Sequence, residues 1–501
     1  GYNDVSFHGS DQIPTPNIDF LAYNGVILNN YYVSPICTPT RSALMTGRHP
    51  IHTGMQHKVI VGAMPYGLPL HETVLPQYLN QLGYHSHIVG KWHLGMFKWE
   101  YTPLYRGFKS HMGYYQGCGD YYTHTYEGSP TQWGLDFRMD KDVLWNCTGQ
   151  YSTSLFRDRA VRIIEDHNVS QPLFLYLPFQ AVHSGNGDEV HLQAPNSYID
   201  KFSYIENKDR RTYAAMVSAL DDAVGDVYDT LNRRGMLANS IIVFTTDNGG
   251  PANGYDNNAA NNFPLRGLKN SLWEGGVRGV GLVHSPLLSR QGYVSNQMLH
   301  VCDWLPTLVS AAGGRSLLDE TAPLDGVDAW AMLSHDGPPV RSEMLHNIDP
   351  LEVKAALRVG PYKLLVGQIN LEYGQWFPPF QLSGDETRLH YLNFTDDLDP
   401  RQEAFGPSVP SNRVGAPVTV HCGSKPENAS TNCSPEVYPC LFHITSDPCE
   451  YNNIAQDNSD IVVAMLERLA EYAATMVPPA NKPDDWRGNP ALHGGAWVPW
   501  Q

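Results

Sequence analysis

Apolar residues in this chain recur with two different periods. Between Asn207 and Arg234, Tyr213, Met216, Val217, Leu220, Val224, Val227 and Leu231 return at steps of three and four residues, and Gly235 follows. That spacing predicts one long amphipathic helix with a glycine stop. Shorter helices are expected over Thr73–Leu82, with Thr73 as its N-cap and Gly83 as its stop, over Ser152–Asn168 and over Asp460–Met476. Elsewhere the apolar residues run together: Gly25–Val33, Tyr84–Val89, Leu173–Leu177 and Ser240–Thr246, the last built on Ile241-Ile242-Val243-Phe244. Such runs predict strands covered on both faces. Tyr101–Tyr126, rich in Gly and Tyr, has neither period and is expected to be a long irregular loop.

Buried strands alternating with helices imply an α/β fold with a large, mostly parallel sheet flanked by helices. After about residue 340 the pattern changes. Ala355–Val359 and Tyr362–Val366 follow each other closely, a Gly/Pro/Cys-rich stretch spans Gly406–Cys440, and one helix comes last. Residues 341–501 are therefore expected to form a smaller α+β domain with an antiparallel sheet. In the first 340 residues, Cys37, Lys91 with His93, His183, and Asp247 with Asn248 each stand directly after an apolar run. Open parallel sheets bind ligands beyond the carboxyl ends of their strands, so these distant positions can meet in one pocket.

Composition narrows the function. A formal net charge of −17 argues against nucleic acid or acidic membrane as the main partner. It is an awkward charge for an enzyme of anionic substrates, although 21 histidines would gain charge in an acidic compartment. No apolar run approaches the roughly 18 residues that span a bilayer. Of eight cysteines, Cys302 is expected to be a buried free thiol, Cys118 and Cys147 to pair, and Cys422, Cys433, Cys440 and Cys449 to pair in one of three ways. Asn-x-Ser/Thr sequons at Asn146, Asn168, Asn393, Asn428 and Asn432, with the clustered cysteines, favour the secretory pathway.

The densest chemistry lies in Pro35-Ile36-Cys37-Thr38-Pro39-Thr40-Arg41-Ser42-Ala43-Leu44-Met45-Thr46-Gly47-Arg48. A proline in a first helical turn is preorganised, which would put Cys37 at a helix N-terminus where backbone N–H groups favour negative charge. Arg41 adds a permanent cation suited to oxyanions. The pattern Cys-x-Pro-x-Arg-x-x-x-x-Thr-Gly over Cys37–Gly47 resembles the signature of the type I sulfatases, and the resemblance runs on. Gly83–His93 looks like that family's second signature, Thr246-Asp247-Asn248-Gly249 its metal-binding turn, and Leu265–Lys269 with Trp273-Glu274-Gly275-Gly276 its second lysine segment. The likeness is nearest to the arylsulfatase B branch.

The resemblance implies an alkaline-phosphatase-like fold, with residues 1–340 as the catalytic domain, and hydrolysis of sulfuric esters. Cys37 would be oxidised by the formylglycine-generating enzyme to Cα-formylglycine, whose hydrate is the nucleophile. Lys91, Lys269 and Arg41 would face the sulfuryl oxygens, His183 with Lys269 would serve the leaving oxygen, and His93 would take the proton that releases sulfate. One calcium ion is implied on Cys37, Asp247 and Asn248. The family's two further aspartates would precede Gly1, so the chain is expected to lack its natural N-terminus and to bind metal poorly as it stands. The implied substrates are sulfated sugars such as N-acetylgalactosamine 4-sulfate of glycosaminoglycans, in a lysosomal or secreted enzyme. The alternatives are small sulfated glycosides such as glucosinolates, with Ser184–Glu189 reshaping the pocket, or a catalytically inactive protein that holds a sulfated ligand. A phosphatase of the same superfold would use Ser or Thr and two zinc ions, which Cys37-Thr38-Pro39-Thr40-Arg41 argues against.

Overall fold

In the computed structural model, which describes residues 1–186, 190–252, 254–319, 323–369, 372–380 and 417–501, both periods give the expected elements. Asn393, the stretch from 406 to 416 and the insertion residues 187–189 lie outside the described residues. The chain enters through α1 (Pro16–Tyr23) and β1 (Val26–Tyr32), then α2 (Cys37–Thr46), α3 (Leu75–Gln81), β2 (His85–Lys91) and β3 (Ser110–Tyr114). α4 (Ser152–Asp166), β4 (Leu173–Tyr176), α5 (Lys208–Arg233), β5 (Ile242–Thr245), β6 (Gly281–His284), β7 (Tyr293–His300) and α6 (Trp304–Ala311) follow. α5 is the long periodic helix, and the Asn207 side chain caps it by accepting from Arg210 N.

Two expectations fail locally. α3 is capped at Val74, not Thr73: the Gln77 side chain accepts from Val74 N at 2.9 Å, and Pro76 fits the first turn. The segment 101–126 is not all loop, because β3 pairs in parallel with β2. Its sequence hides this, since Gly113 is present so that β3 can approach β2; a Cβ there would lie 2.0 Å from the Gly90 carbonyl.

The strands form two sheets. One has the order β7-β1-β6-β5, with β1 parallel to β7 and β6 antiparallel to its neighbours; the other joins the short strands Asp142–Val143 and Arg138–Met139 to β3, β2 and β4. β4 and β5 are apolar throughout, as central strands are, yet each ends its sheet and each is half-buried along its whole length. They line a cavity of about 850 Å³ that is walled by Val217 and Val224 of α5 and by Leu44 and Leu308, and that reaches Lys91, His183, Asp247 and Lys269 at one end.

Beyond residue 340, β8 (Glu343–Asp349), β9 (Lys354–Val359), β10 (Tyr362–Gly367) and β11 (Cys440–His443) form an antiparallel sheet in that order. α7 (Ser459–Thr475) lays Val462, Met465 and Leu469 on Leu357, Leu364 and Leu441. Lys363 on β10 ties this sheet to the first part of the chain: its ammonium, fully buried, meets Glu274 at 3.0 Å and Glu450 at 2.8 Å. Lys363→Met would leave two buried carboxylates facing each other. It is expected to cost about 3–5 kcal/mol in urea denaturation; a loss below about 1 kcal/mol would show the cluster to be dispensable.

The cysteines pair as Cys422–Cys449 and Cys433–Cys440, while Cys37, Cys118, Cys147 and Cys302 are free. The expected Cys118–Cys147 bond is thus absent. Cys147 packs with Phe137 and Phe156, Cys118 against the cluster holding Tyr126 and Trp497, and separation in sequence carries no information about such packing. Among the described residues, no helix is long and apolar enough to cross a membrane.

Candidate active site

Cys37 is the first residue of α2, preceded by extended Ile36. Thr40 holds the entry, its Oγ1 accepting from Ser34 N at 2.9 Å. The thiol is buried at the positive end of the helix and donates to Asn248 Oδ1 at 3.6 Å. Burial and the Asp247 carboxylate oppose its ionisation, but Lys91, Lys269 and a hydrogen bond with His183 outweigh them and hold it well below its usual value.

Arg41, one turn along, does not face outward. Nε and Nη2 clamp Asp247 Oδ2 at 3.2 and 2.8 Å, and Nη1 donates to the Lys91 carbonyl and Tyr176 Oη at 3.2 and 3.3 Å. Arg41 thus lines the same cavity as Lys91, His183 and Lys269 while its guanidinium anchors Asp247. Half-buried Asp247 is nevertheless held far below the ordinary carboxylate range, chiefly by Arg41 and Lys91 working against desolvation. The turn after β5 sits where it does because Gly249 meets Gly275 backbone to backbone; a Cβ on Gly249 would lie 1.8 Å from the Gly275 carbonyl. That contact also fixes Lys269, whose N–H donates to Gly250 O at 3.2 Å.

β2 delivers Lys91 and His93. Gly90, at φ +124°, lets β2 close on the segment after β4, where Lys91 N donates to Pro178 O. His93, buried and itself at φ +60°, donates from Nε2 to Ile60 O at 2.7 Å. Its Nδ1 is buried with no protein partner. Burial, and then Lys91, lower this imidazole to about 4 despite the opposing pull of Cys37, so it is a neutral acceptor above that pH.

His183 donates from Nδ1 to Ser184 O and accepts at Nε2 from Lys269 Nζ, each at 2.9 Å. Lys269 also meets Asp256 Oδ2 at 2.5 Å. Despite burial, Cys37 and Asp256 keep the lysine firmly protonated, while Asp256, opposed by its own burial, is drawn to about 2 by His183 and Lys269. Asp256 is the member of this group that sequence reading missed. It stands in a short turn, Tyr255–Asn257, at φ +57°, and Gly-Tyr-Asp-Asn looks like any other turn. All the residues singled out from the sequence thus gather at one place, with Arg41 tying the Lys91 carbonyl to Asp247.

The sulfatase family model matches residues 1–314. The chain belongs to the sulfatase family. Arylsulfatase J of Mus musculus is 40% identical over 520 residues, covering all of this chain and 78% of that protein. N-acetylgalactosamine-6-sulfatase of Mus musculus is 30% identical across 66% of this chain and 63% of that one. Among solved structures, Ps i-CgsB superposes with a TM-score of 0.72 at 25% identity over 99% of this chain and 95% of that one. The PsFucS1 sulfatase from Pseudoalteromonas sp. does so with 0.68 at 21%, over 97% and 90%. The fold is the alkaline-phosphatase-like one of these enzymes, and the chain is itself a sulfatase.

Calcium requires about six to eight oxygen ligands. In this sulfatase Asp247 and Asn248 offer side-chain oxygens, but Arg41 already holds Asp247 Oδ2. Among the described residues, the only cluster of three His, Cys, Asp or Glu side chains spaced for a metal is His57, Asp349 and Glu352, which includes neither Cys37 nor Asp247. The residues present do not by themselves fit a calcium ion, and no step below runs through one.

Several buried histidines of the sulfatase do not act as a reserve of charge in acid. Burial lowers His8 and His111 to about 3 and His49 and His93 to about 4. The unfolded chain takes these protons near pH 6.5, the folded chain only below about 4, so stability is whole above 6.5 and is lost as pH falls through that window. Asp19, raised by burial to about 6, and Asp221, raised to about 7, pull the other way but are outnumbered. Tm is expected to fall steeply from pH 6.5 to 4 by calorimetry; a flat profile would contradict the burial of these rings.

Proposed function

We propose that this sulfatase hydrolyses sulfate esters on sugars of glycosaminoglycan type, N-acetylgalactosamine 4-sulfate first among them, with position 37 oxidised to Cα-formylglycine. The observation that carries the reading is buried His93, whose Nδ1 is taken by no other side chain or carbonyl and whose ring feels Cys37, while Lys91, Lys269 and His183 act on that same Cys37. An aldehyde hydrate at position 37 supplies a nucleophilic oxygen and a second hydroxyl, and His93 Nδ1 is placed as an acceptor for the latter. Relatives named for N-acetylgalactosamine-6-sulfate, and Ps i-CgsB solved with k-i-k-neocarrahexaose, support a sugar as the carrier.

This chain's own residues divide the work. Lys91 and Lys269 offset charge on the sulfuryl oxygens, the preorganised-charge device that dominates such reactions. Lys269 gives its proton towards the departing oxygen directly or through His183 Nε2, and Asp256 holds the lysine in place. His93, kept neutral by burial, takes the proton whose loss frees sulfate. Asp247, anchored by Arg41, accepts from the attacking hydroxyl.

A secretory location, lysosomal or extracellular, is supported by the two disulfides and by exposed sequon asparagines at 146, 168 and 428. Asn432 is a poorer acceptor, because its Nδ2 donates to Tyr451 O. A domain boundary near residue 340 is part of the same proposal, supported by the start of the antiparallel sheet at Glu343. The test is peptide mass spectrometry of residue 37 together with sulfate release from a panel of sulfated sugars. Formylglycine with release supports the reading. Unmodified cysteine and no release from any ester would overturn it.

A further inference from the structure

Beside the site lies a second cavity, of about 500 Å³, that the reaction does not use. Ile36 and Asn270 belong to its wall, and these are the chain neighbours of Cys37 and Lys269. Asn270 N donates to Pro35 O at 2.7 Å, so the wall is one piece with the catalytic turn. The opposite side carries His57, Lys58, Asn481 and Lys482, and no carboxylate lines the cavity. His57 is held by Asp349 at 2.9 Å, so in a chain of net charge −17 the wall offers two lysines, one of them paired with Glu352, and no carboxylate of its own.

The details fit a polyol anion. Lys58 is 59% exposed and stands at φ +48°, a left-handed position uncommon for lysine. Its one ion-pair partner is Glu352 at 3.6 Å, an acid that also pairs with Lys354. Asn481 donates to His57 O and Tyr66 Oη, which leaves its Oδ1 without a protein partner and free to accept from a hydroxyl. The same loop supports catalysis: Ile60, two residues after Lys58, is the carbonyl that orients His93.

We propose that this cavity is the subsite for the sugar next to the one that loses sulfate, and that it selects an acidic sugar. Lys58 and Lys482 take its carboxylate or second sulfate, while Asn270 and Asn481 take its hydroxyls. The proposal rests on the sulfated-sugar reading above and adds to it what the neighbouring unit must be.

The test uses the converted enzyme and the double variant Lys58→Ala/Lys482→Ala. KM for a sulfated oligosaccharide with a uronic acid neighbour should rise roughly tenfold with kcat unchanged. KM for a small aryl sulfate should stay the same, as should that for the oligosaccharide with its carboxyl reduced to an alcohol. An otherwise neutral oligosaccharide carrying a neighbouring sulfate tells the two anions apart, because only the one that is recognised loses affinity. A double variant within twofold of wild type on every acidic oligosaccharide would overturn the subsite. If wild type hydrolyses no sulfate ester at all, the functional reading falls separately, and calorimetry of the uronate oligosaccharide then decides. Binding lost in the double variant upholds the subsite, and equal or absent binding refutes it.

Discussion

Cys37→Ser is expected to stop turnover, with kcat falling at least about 10⁴-fold, while the fold stays intact. Serine preserves the start of α2, whose N-cap is Ile36 and whose first turn is tied by Thr40 to Ser34. A small polar side chain replaces a small polar side chain, so Tm should move by less than about 2 °C. KM should change little, since Lys91, Lys269 and His183 still offer the same charge to a sulfate. On the proposed mechanism, what disappears is the second oxygen of the aldehyde hydrate at position 37. A serine oxygen can receive a sulfuryl group, but it has no neighbouring hydroxyl for His93 to deprotonate, so at most one sulfate would be taken per chain. Steady-state sulfate release together with differential scanning calorimetry checks this. Turnover within tenfold of wild type would place the nucleophile elsewhere.

Lys269→Ala should lower kcat by about 10²–10³, the cost of removing one preorganised charge from a transition state. The size of the loss should depend on the leaving group. Lys269 shares its hydrogens with His183 Nε2 and Asp256 Oδ2, and so serves the oxygen that departs. A sugar alcohol leaves poorly and needs that proton; a nitrophenolate leaves well without it. Comparing a sugar sulfate with nitrophenyl sulfate should therefore show the larger loss for the sugar. Equal losses on both would mean that Lys269 acts only on the bound sulfate or on the placement of His183.

The two variants bear on different parts of what the sequence revealed. Cys37 was legible because its neighbours form a dense local signature: a proline suited to a first helical turn, an arginine one turn on, and a glycine that ends the helix at φ +66°. Lys91, His183 and Asp247 were legible because each follows an apolar run; that β5, paired antiparallel with β6 in one sheet, would end beside β2 of the other was not. β3 was not legible, because a strand packed through Gly113 against Gly90 needs no aliphatic run. Asp256 was not legible either, because nothing within ten residues of it says that a lysine and a histidine will meet its carboxylate.

Local order therefore belongs to the sequence: where helices and strands run, which of them are apolar on both faces, and which reactive side chains stand at strand ends. These follow from period, capping and turn chemistry, which act over a few residues. The partners were settled by tertiary structure. Arg41 pairs with Asp247, Cys118 and Cys147 stay apart in separate clusters, and Lys363 joins Glu274 to Glu450. A buried charge takes whichever counter-charge packing brings within about 3 Å, because leaving it unpaired costs several kcal/mol, and that choice is made only when segments hundreds of residues apart close on one another.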